Sequence, residues 1–297
     1  VIEEAKVILS SSSSSDEKAN KLSEIALKTV DVKGLAYYTL GKKRKEITPE
    51  ELKKFLEMSK GNIGFVPTMG ALHAGHVSLF HKAKKDSDVC IASIYVNPTQ
   101  FDDPQDLSKY PSAIENDKKI MRANGINGVF FPKYHHLYPD NYSYQLAERD
   151  FSKELCGKTR HGHFTGVLTI LMKLFLMIRP EKVFLGEKDY QQLELVKGMV
   201  NAFHMGIEVV GCPTVRESDG LAMSSRNKNL TQSQRQKAPK FFELLSKRGN
   251  DSEISDELKM HGFGVDYVVS RKDRRFGAVT LGSNENKVRL IDNVLLR

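Results

Sequence analysis

Residues 62–96 read NIGFVPTMGALHAGHVSLFHKAKKDSDVCIASIYV. Asn62 to Val66 is a short apolar strand, Pro67-Thr68-Met69-Gly70 is a turn, and Leu72 to about Lys85 carries helical periodicity. Val89 to Val96 then reads as a second, fully buried strand. Strand, helix and strand in so short a span form a parallel crossover unit. His73 and His76 stand three residues apart at the head of its helix.

The same alternation continues on both sides. Thr48-Pro49-Glu50-Glu51 is a capping box with proline at the first helical position, opening a helix to about Ser59. Downstream come a helix near Ala113 to Ala123, a strand at Gly128 to Phe131 and a helix near Gly166 to Met177. A strand at Lys182 to Leu185, a helix at Tyr190 to Phe203 and a strand at Ile207 to Val210 follow. The expected architecture is α/β, a doubly wound, Rossmann-like parallel sheet.

At 297 residues, 40% of them hydrophobic, the chain can bury one large core or two unequal ones. The formal net charge is +8, but residues 46–214 carry 20 Lys and Arg against 20 Asp and Glu. A nucleic-acid binder concentrates its positive charge, so the neutral middle points to small anionic substrates rather than a polymer. Cys90, Cys156 and Cys212 have no paired spacing and read as reduced structural thiols of a cytoplasmic protein. The longest apolar stretch, Val167 to Ile178, is interrupted by Lys173 and is too short to span a bilayer. Residues 1–45 differ in texture, with serines from Ser10 to Ser15 and a basic run from Lys42 to Lys45. Such a segment buries too little apolar surface to offset its ordering entropy, so we expect a flexible extension. It lacks a signal-peptide core and is too acidic for a good transit peptide.

In an open parallel sheet, ligands bind at the carboxyl ends of the strands. The segments placed there are Pro67-Thr68-Met69-Gly70, Asn97-Pro98-Thr99-Gln100, Pro132, Gly186-Glu187-Lys188-Asp189 and Pro213-Thr214-Val215-Arg216-Glu217-Ser218. A purely structural set of loops would not need Asn, Gln, Lys, Asp and Arg to converge on one rim, which favours an active site. His73 and His76 lie where unpaired backbone N–H groups favour a phosphate chain, and their imidazoles can donate to charge developing on a phosphate. An isolated His-x-x-His serves as well for a helix cap, and two ligands without a third make a poor zinc site. Lys188 is a natural phosphate clamp and Asp189 a partner for ribose or metal, although a bare Lys-Asp is more often a surface ion pair. Met223, Ser224, Ser225 and Arg226 form a donor-rich loop suited to phosphates, or simply a solvated turn.

The His-x-x-His turn and the Met-Ser-Ser-Arg loop resemble the HIGH and KMSKS pair with which one nucleotidyltransferase superfamily grips ATP. Five segments in order go further: Gly64 to His76, Tyr95 to Phe101 (Tyr-Val-Asn-Pro-Thr-Gln-Phe), Arg160 to Val167 (Arg-His-Gly-His-Phe-Thr-Gly-Val), Gly186 to Gln192 (Gly-Glu-Lys-Asp-Tyr-Gln-Gln) and Pro213 to Asn227. Together they resemble the pantoate–β-alanine ligases. Arg289-Leu290-Ile291-Asp292-Asn293 is similar to the close of that family's second domain. The resemblance implies ATP-dependent ligation of pantoate with β-alanine through pantoyl adenylate, giving pantothenate, AMP and pyrophosphate.

Carried onto this chain, the family's roles give ATP to Pro67, Thr68, Met69, Gly70, His73, His76, Gly186, Lys188, Asp189, Met223, Ser224, Ser225 and Arg226. Of these, His73, His76, Lys188, Ser224, Ser225 and Arg226 would act on the phosphates during reaction. Gln100 and Gln192 would hold pantoate, with Met69 and His163 beside it, and Asp117 would help to place Mg²⁺. The implied organisation is a catalytic domain over 46–214, a smaller C-terminal α+β lid over 215–297, and a homodimer, with no nucleic acid or membrane as partner. The region between Asn227 and Val265 reads as shortened relative to the family, and Val268 to Lys287 as a compressed hairpin, which would weaken closure of the lid. Two other readings stay open: a nucleotidyltransferase acting on a phosphorylated substrate, against which the uncharged Gln100 and Gln192 speak, and a noncatalytic binding protein.

Overall fold

The computed structural model describes Glu17 together with residues 49–283 and 286–296. The extension expected over 1–45 thus lies, Glu17 apart, outside the described residues, as does Thr48 of the first capping box. Helix α1 (Pro49–Met58) opens on its proline and leads into β1 (Ile63–Thr68). Helix α2 (Ala74–Asp86), β2 (Val89–Ile94), α3 (Ile114–Ala123) and β3 (Gly128–Phe130) follow. Then come α4 (His163–Ile178), β4 (Lys182–Gly186), α5 (Tyr190–Ala202) and β5 (Glu208–Cys212).

The five strands make one parallel sheet in the order β3-β2-β1-β4-β5. Because the strands are buried on both sides, neighbouring residues feed opposite cores. Phe65, Ile91 and Val183 pack with α1, α4 and α5 on one face. Val66, Ala92 and Phe184 pack with Leu79 and Phe80 of α2 and Met121 of α3 on the other. The near-continuous apolar run in α4 is therefore core: eleven of its residues are buried, and among the described residues no helix is long and apolar enough to cross a membrane.

The order reverses between β1 and β4, and there the sheet opens. β1 pairs with β2 over its whole length, from Ile63 with Val89 to Thr68 with Ile94. With β4 it pairs only at Gly64 and Phe65. The Thr68 carbonyl accepts from Tyr95 N–H at 3.0 Å, so Thr68 turns toward β2 and its neighbour Pro67 toward β4. A proline has no N–H to give to a ladder on that side. The strand thus runs two residues beyond the apolar run that the sequence marks, and the resulting crevice lies where a doubly wound sheet binds its ligand.

Beyond β5 the chain builds a second, smaller core from Leu221, Phe241, Leu245, Leu258, Phe263, Val279 and Leu290 among others. It packs short helices α6 (Gln232–Lys237), α7 (Pro239–Leu245) and α8 (Asp251–Met260) against antiparallel β6 (Gly264–Arg271), β7 (Arg274–Leu281) and β8 (Val288–Leu295). β6 and β7 are joined by only Lys272 and Asp273, with Lys272 at φ 55°, so the compressed hairpin is a complete one with a tight turn.

Candidate active site

The crevice is part of a cavity of about 300 Å³. His73 is the N-cap of α2: its Nδ1 accepts from Gly75 N–H at 3.1 Å, while Nδ1 of His76 accepts from His73 N–H at 3.3 Å. This is a capping box with imidazoles in the places of Ser and Glu. Because both Nδ1 atoms accept, each neutral ring carries its proton on Nε2. Burial, reinforced by the Lys188 charge, brings His73 down to about 4, and burial with His73 beside it brings His76 down to about 3. One end of each ring thus serves the cap, and the other carries a donor N–H.

The turn before them is braced from beneath. Asp117, buried in α3, accepts from Ala71 N–H through one carboxylate oxygen and from Leu72 N–H through the other, both at 2.8 Å. Ala71 sits at φ 51°, a conformation an L-residue keeps only when its surroundings hold it. Thr68 Oγ1 donates to Ser93 carbonyl and accepts from Gly70 N–H. Pro67, Thr68, Met69, His73 and His76 line the cavity, whereas Gly70 and Asp117 do not. Gly70 lies on the Asp117 side of the loop, and both Asp117 oxygens are engaged by backbone N–H groups and shape that loop.

On the opposite lip, Lys188 Nζ lies 3.4 Å from the Asp189 carboxylate. The enclosing walls desolvate that carboxyl, but Lys188 and Arg226 outweigh them and hold it below the usual aspartate range. A Cβ built on Gly186 would meet nothing within 4 Å, and its φ of −75° suits any residue. What the glycine supplies there is space in the cavity. Asn293 of β8 secures this lip by donating to the carbonyls of Glu187 at 2.9 Å and Lys188 at 3.0 Å.

The loop 223–226 closes the third side. Ser224 Oγ accepts from Arg226 N–H, and Ser225, buried, donates to Ala71 carbonyl at 3.1 Å. Arg226 forks onto Asp106 at 3.1 and 2.7 Å. Burial opposes the charge of both partners, and their pairing more than offsets it, raising Arg226 and lowering Asp106. The chain beyond β5 thus brings Met223, Ser224, Ser225 and Arg226 to the cavity wall.

Another part of the wall is built from the Asn97–Gln100 loop and the start of α4. Gly166 lets α4 abut the Asn97–Gln100 loop, because a Cβ there would lie 2.3 Å from Thr99 carbonyl. Asn97, buried, donates to Gly166 carbonyl and Gln100 Oε1, and Gln100 Nε2 points to Met69 Sδ at 3.2 Å. Of the consecutive glutamines, Gln191 is fully engaged with Cys156 N–H and the carbonyls of Phe151 and Glu154, which leaves Gln192 for a ligand. His163 lines the cavity too. Since the Arg160 guanidinium can only donate, His163 Nε2 accepts from it at 3.0 Å, and Nδ1–H donates to Gln100 carbonyl at 2.8 Å. Burial, with Arg160 adjacent, brings this imidazole down to about 3. Both ring nitrogens are thus engaged, and the imidazole fixes Arg160 and Gln100 at the cavity wall.

Sequence reasoning missed Asp106, Tyr110, Arg160, Tyr267 and Arg289, which also line the cavity. Arg160 and Arg289 stood in quoted segments, but Asp106, Tyr110 and Tyr267 are placed by contacts across more than a hundred residues, for which the sequence holds no local signal.

The family model for pantoate–β-alanine ligase matches residues 44–295. The chain belongs to the pantoate–β-alanine ligase family. It is 49% identical to the pantothenate synthetase of Bdellovibrio bacteriovorus over 247 residues, 83% of this chain and 97% of that protein. With the enzyme of Legionella pneumophila strain Lens it shares 47% over 235 residues, 79% of this chain and 92% of the other. A crystal structure of the Francisella tularensis ligase, complexed with an ATP ligand and β-alanine, superposes with a TM-score of 0.79 at 39% identity, covering 84% of this chain and 95% of that one. A Thermus thermophilus pantothenate synthetase gives 0.77 at 35%, covering 84% and 97%. Of the readings left open by the sequence, the ligase is the one that holds: the enzyme joins pantoate to β-alanine at the expense of ATP.

Proposed function

We propose that the ligation runs in two steps in this one cavity, through pantoyl adenylate, with the residues divided between an ATP clamp and a hydroxy-acid pocket. A pantoate carboxylate oxygen attacks the α-phosphorus; the bond to the bridging oxygen breaks and pyrophosphate leaves. The β-alanine amine then attacks the acyl carbon, and AMP leaves with the attacked carboxylate's oxygen. The observation that carries this reading is the pair of neutral His73 and His76 rings, each with Nε2–H free, at a helix N-terminus facing Lys188. Such fixed donors stabilise charge growing on phosphate without reorganising, the largest contribution a rigid site makes to such a step. Ser224, Ser225 and Arg226 would border the leaving pyrophosphate, Gly186 and Asp189 the ribose, and Gln100 and Gln192 the pantoate.

Among the described residues no cluster of three or more His, Cys, Asp or Glu is placed to hold a metal ion. Magnesium suits such a site when it arrives on the triphosphate, since it needs few protein ligands beside phosphate oxygens. Asp117 does not fit as such a ligand, since two backbone N–H groups take both its oxygens; held by the triphosphate, the ion would neutralise the phosphates. We take 215–297 as the lid over ATP, a homodimer as the assembly and the cytoplasm as the compartment. The test is pyrophosphate exchange into ATP, which should require pantoate and not β-alanine, with ¹⁸O from the pantoate carboxylate appearing in AMP. Exchange that needs all three substrates would refute the adenylate.

A further inference from the structure

Arg289, on β8, lines the cavity, as does Gln192. Its Nε donates to Asp266 at 2.7 Å. Its other two nitrogens, the pair that would fork onto a carboxylate, both face the Cys156 thiol at 3.7 Å, with Thr159 Oγ1 at 3.4 Å from one of them. Sulfur is a weak acceptor, so a guanidinium whose side chain is only 22% exposed directs its bidentate edge at a poor match for its charge.

The other guanidiniums around the site are occupied. Arg226 is taken by Asp106, Arg216 by Asp292 at 2.6 and 3.0 Å, and Arg160 by Asp102, His163 and Gln100 carbonyl. Arg289 also adjoins the hydroxy-acid end: Cys156 N–H donates to Gln191, the residue before Gln192, and its charge is felt by both Arg160 and Asp106. The Tyr267 hydroxyl stands 3.1 Å from the same thiol, adding a neutral donor.

We propose that Arg289 receives the carboxylate of β-alanine, with the Tyr267 hydroxyl beside it, and so orients the amine toward the activated pantoate. This rests on the reading of the cavity as the site of ligation. A planar fork matches a carboxylate with two parallel hydrogen bonds and fixes its direction as well as its place. The ATP clamp is of no use for this, since Lys188 is held for phosphate and Arg226 is neutralised by Asp106. The receptor belongs to the C-terminal sheet, so amine selection falls to 215–297, the region that also brings the serine loop to the phosphates.

The test compares, in one preparation, kcat/KM for β-alanine with kcat/KM for hydroxylamine, an amine without a carboxylate that also captures acyl adenylates. The ratio cancels the active fraction, so it survives partial misfolding. Arg289→Gln should lower it about a hundredfold, chiefly through KM for β-alanine, because a buried charge pair is lost. Arg289→Lys should recover part of it. An unchanged ratio in Arg289→Gln overturns the assignment alone. Absence of pantoate-dependent exchange in the unaltered enzyme overturns the ligation reading with it, and is seen without any variant.

Discussion

Ser225 gives its hydroxyl proton to the carbonyl of Ala71, 154 residues away in the chain. The same Ala71 gives its N–H to Asp117, so a residue with a left-handed backbone is held from both sides. The histidine turn and the serine loop consequently behave as one body, and disturbing either should disturb the donors of the other.

Asp117→Asn tests this brace. One of the two oxygens becomes an amide that faces a backbone N–H, leaving a buried donor unmet. Stability should fall by about 2–3 kcal/mol, measured by urea unfolding, and KM for ATP should rise. The Mg²⁺ dependence of the rate should keep its midpoint. A shifted magnesium midpoint with normal stability would return Asp117 to the role of metal ligand.

Lys188→Ala and Gln192→Ala should fail in different ways. Removing a donor to developing phosphate charge should slow adenylation by about a hundredfold or more, whereas Gln192→Ala should weaken pantoate binding. Calorimetry with pantoate alone separates them: loss of the pantoate heat in Lys188→Ala and its retention in Gln192→Ala would reverse the assignment.

The histidines set a pH dependence of definite sign. His73, His76 and His163 titrate at about 4, 3 and 3 in the folded enzyme, below their unfolded value near 6.5. Between those limits the unfolded chain binds protons that the folded chain refuses, so stability is full above pH 6.5 and declines as pH falls toward 4. Adenylation should show no histidine limb near 6.5. Proton NMR of the His73 ring would contradict this if it titrated at the ordinary value.

Gly186→Val should leave the melting temperature within a few degrees of the parent, since the backbone there suits any residue and an added Cβ meets nothing within 4 Å. ATP binding should be lost by calorimetry. Normal ATP affinity in a folded Gly186→Val protein would move the nucleotide elsewhere.

Much of this was legible in the sequence because it is local. The capping and turn residues from Pro49 to Gly70 and the two-faced apolar strands mark elements within a residue or two of their observed ends. The five collinear segments named the loops that meet at the crevice. What a motif cannot carry is which atoms of a residue are already engaged. In His163 the two nitrogens are taken by Arg160 and the Gln100 carbonyl, and in Asp117 the two oxygens by backbone N–H groups, which no pattern of residue types announces. Asp106 and Tyr267 have no sequence neighbours to advertise them, because their partners Arg226 and Cys156 are 120 and 111 residues away.

The early parting of β1 from β4, with Pro67 at the gap, separates where the reaction happens from how well it happens. The opening is a property of strand order and of a missing backbone donor, so truncating any lining side chain should leave a hollow in the same spot. A family of such variants would then offer related acids and amines a common berth with altered appetites. Redesign of substrate preference can therefore proceed one wall at a time, with the floor left as it is.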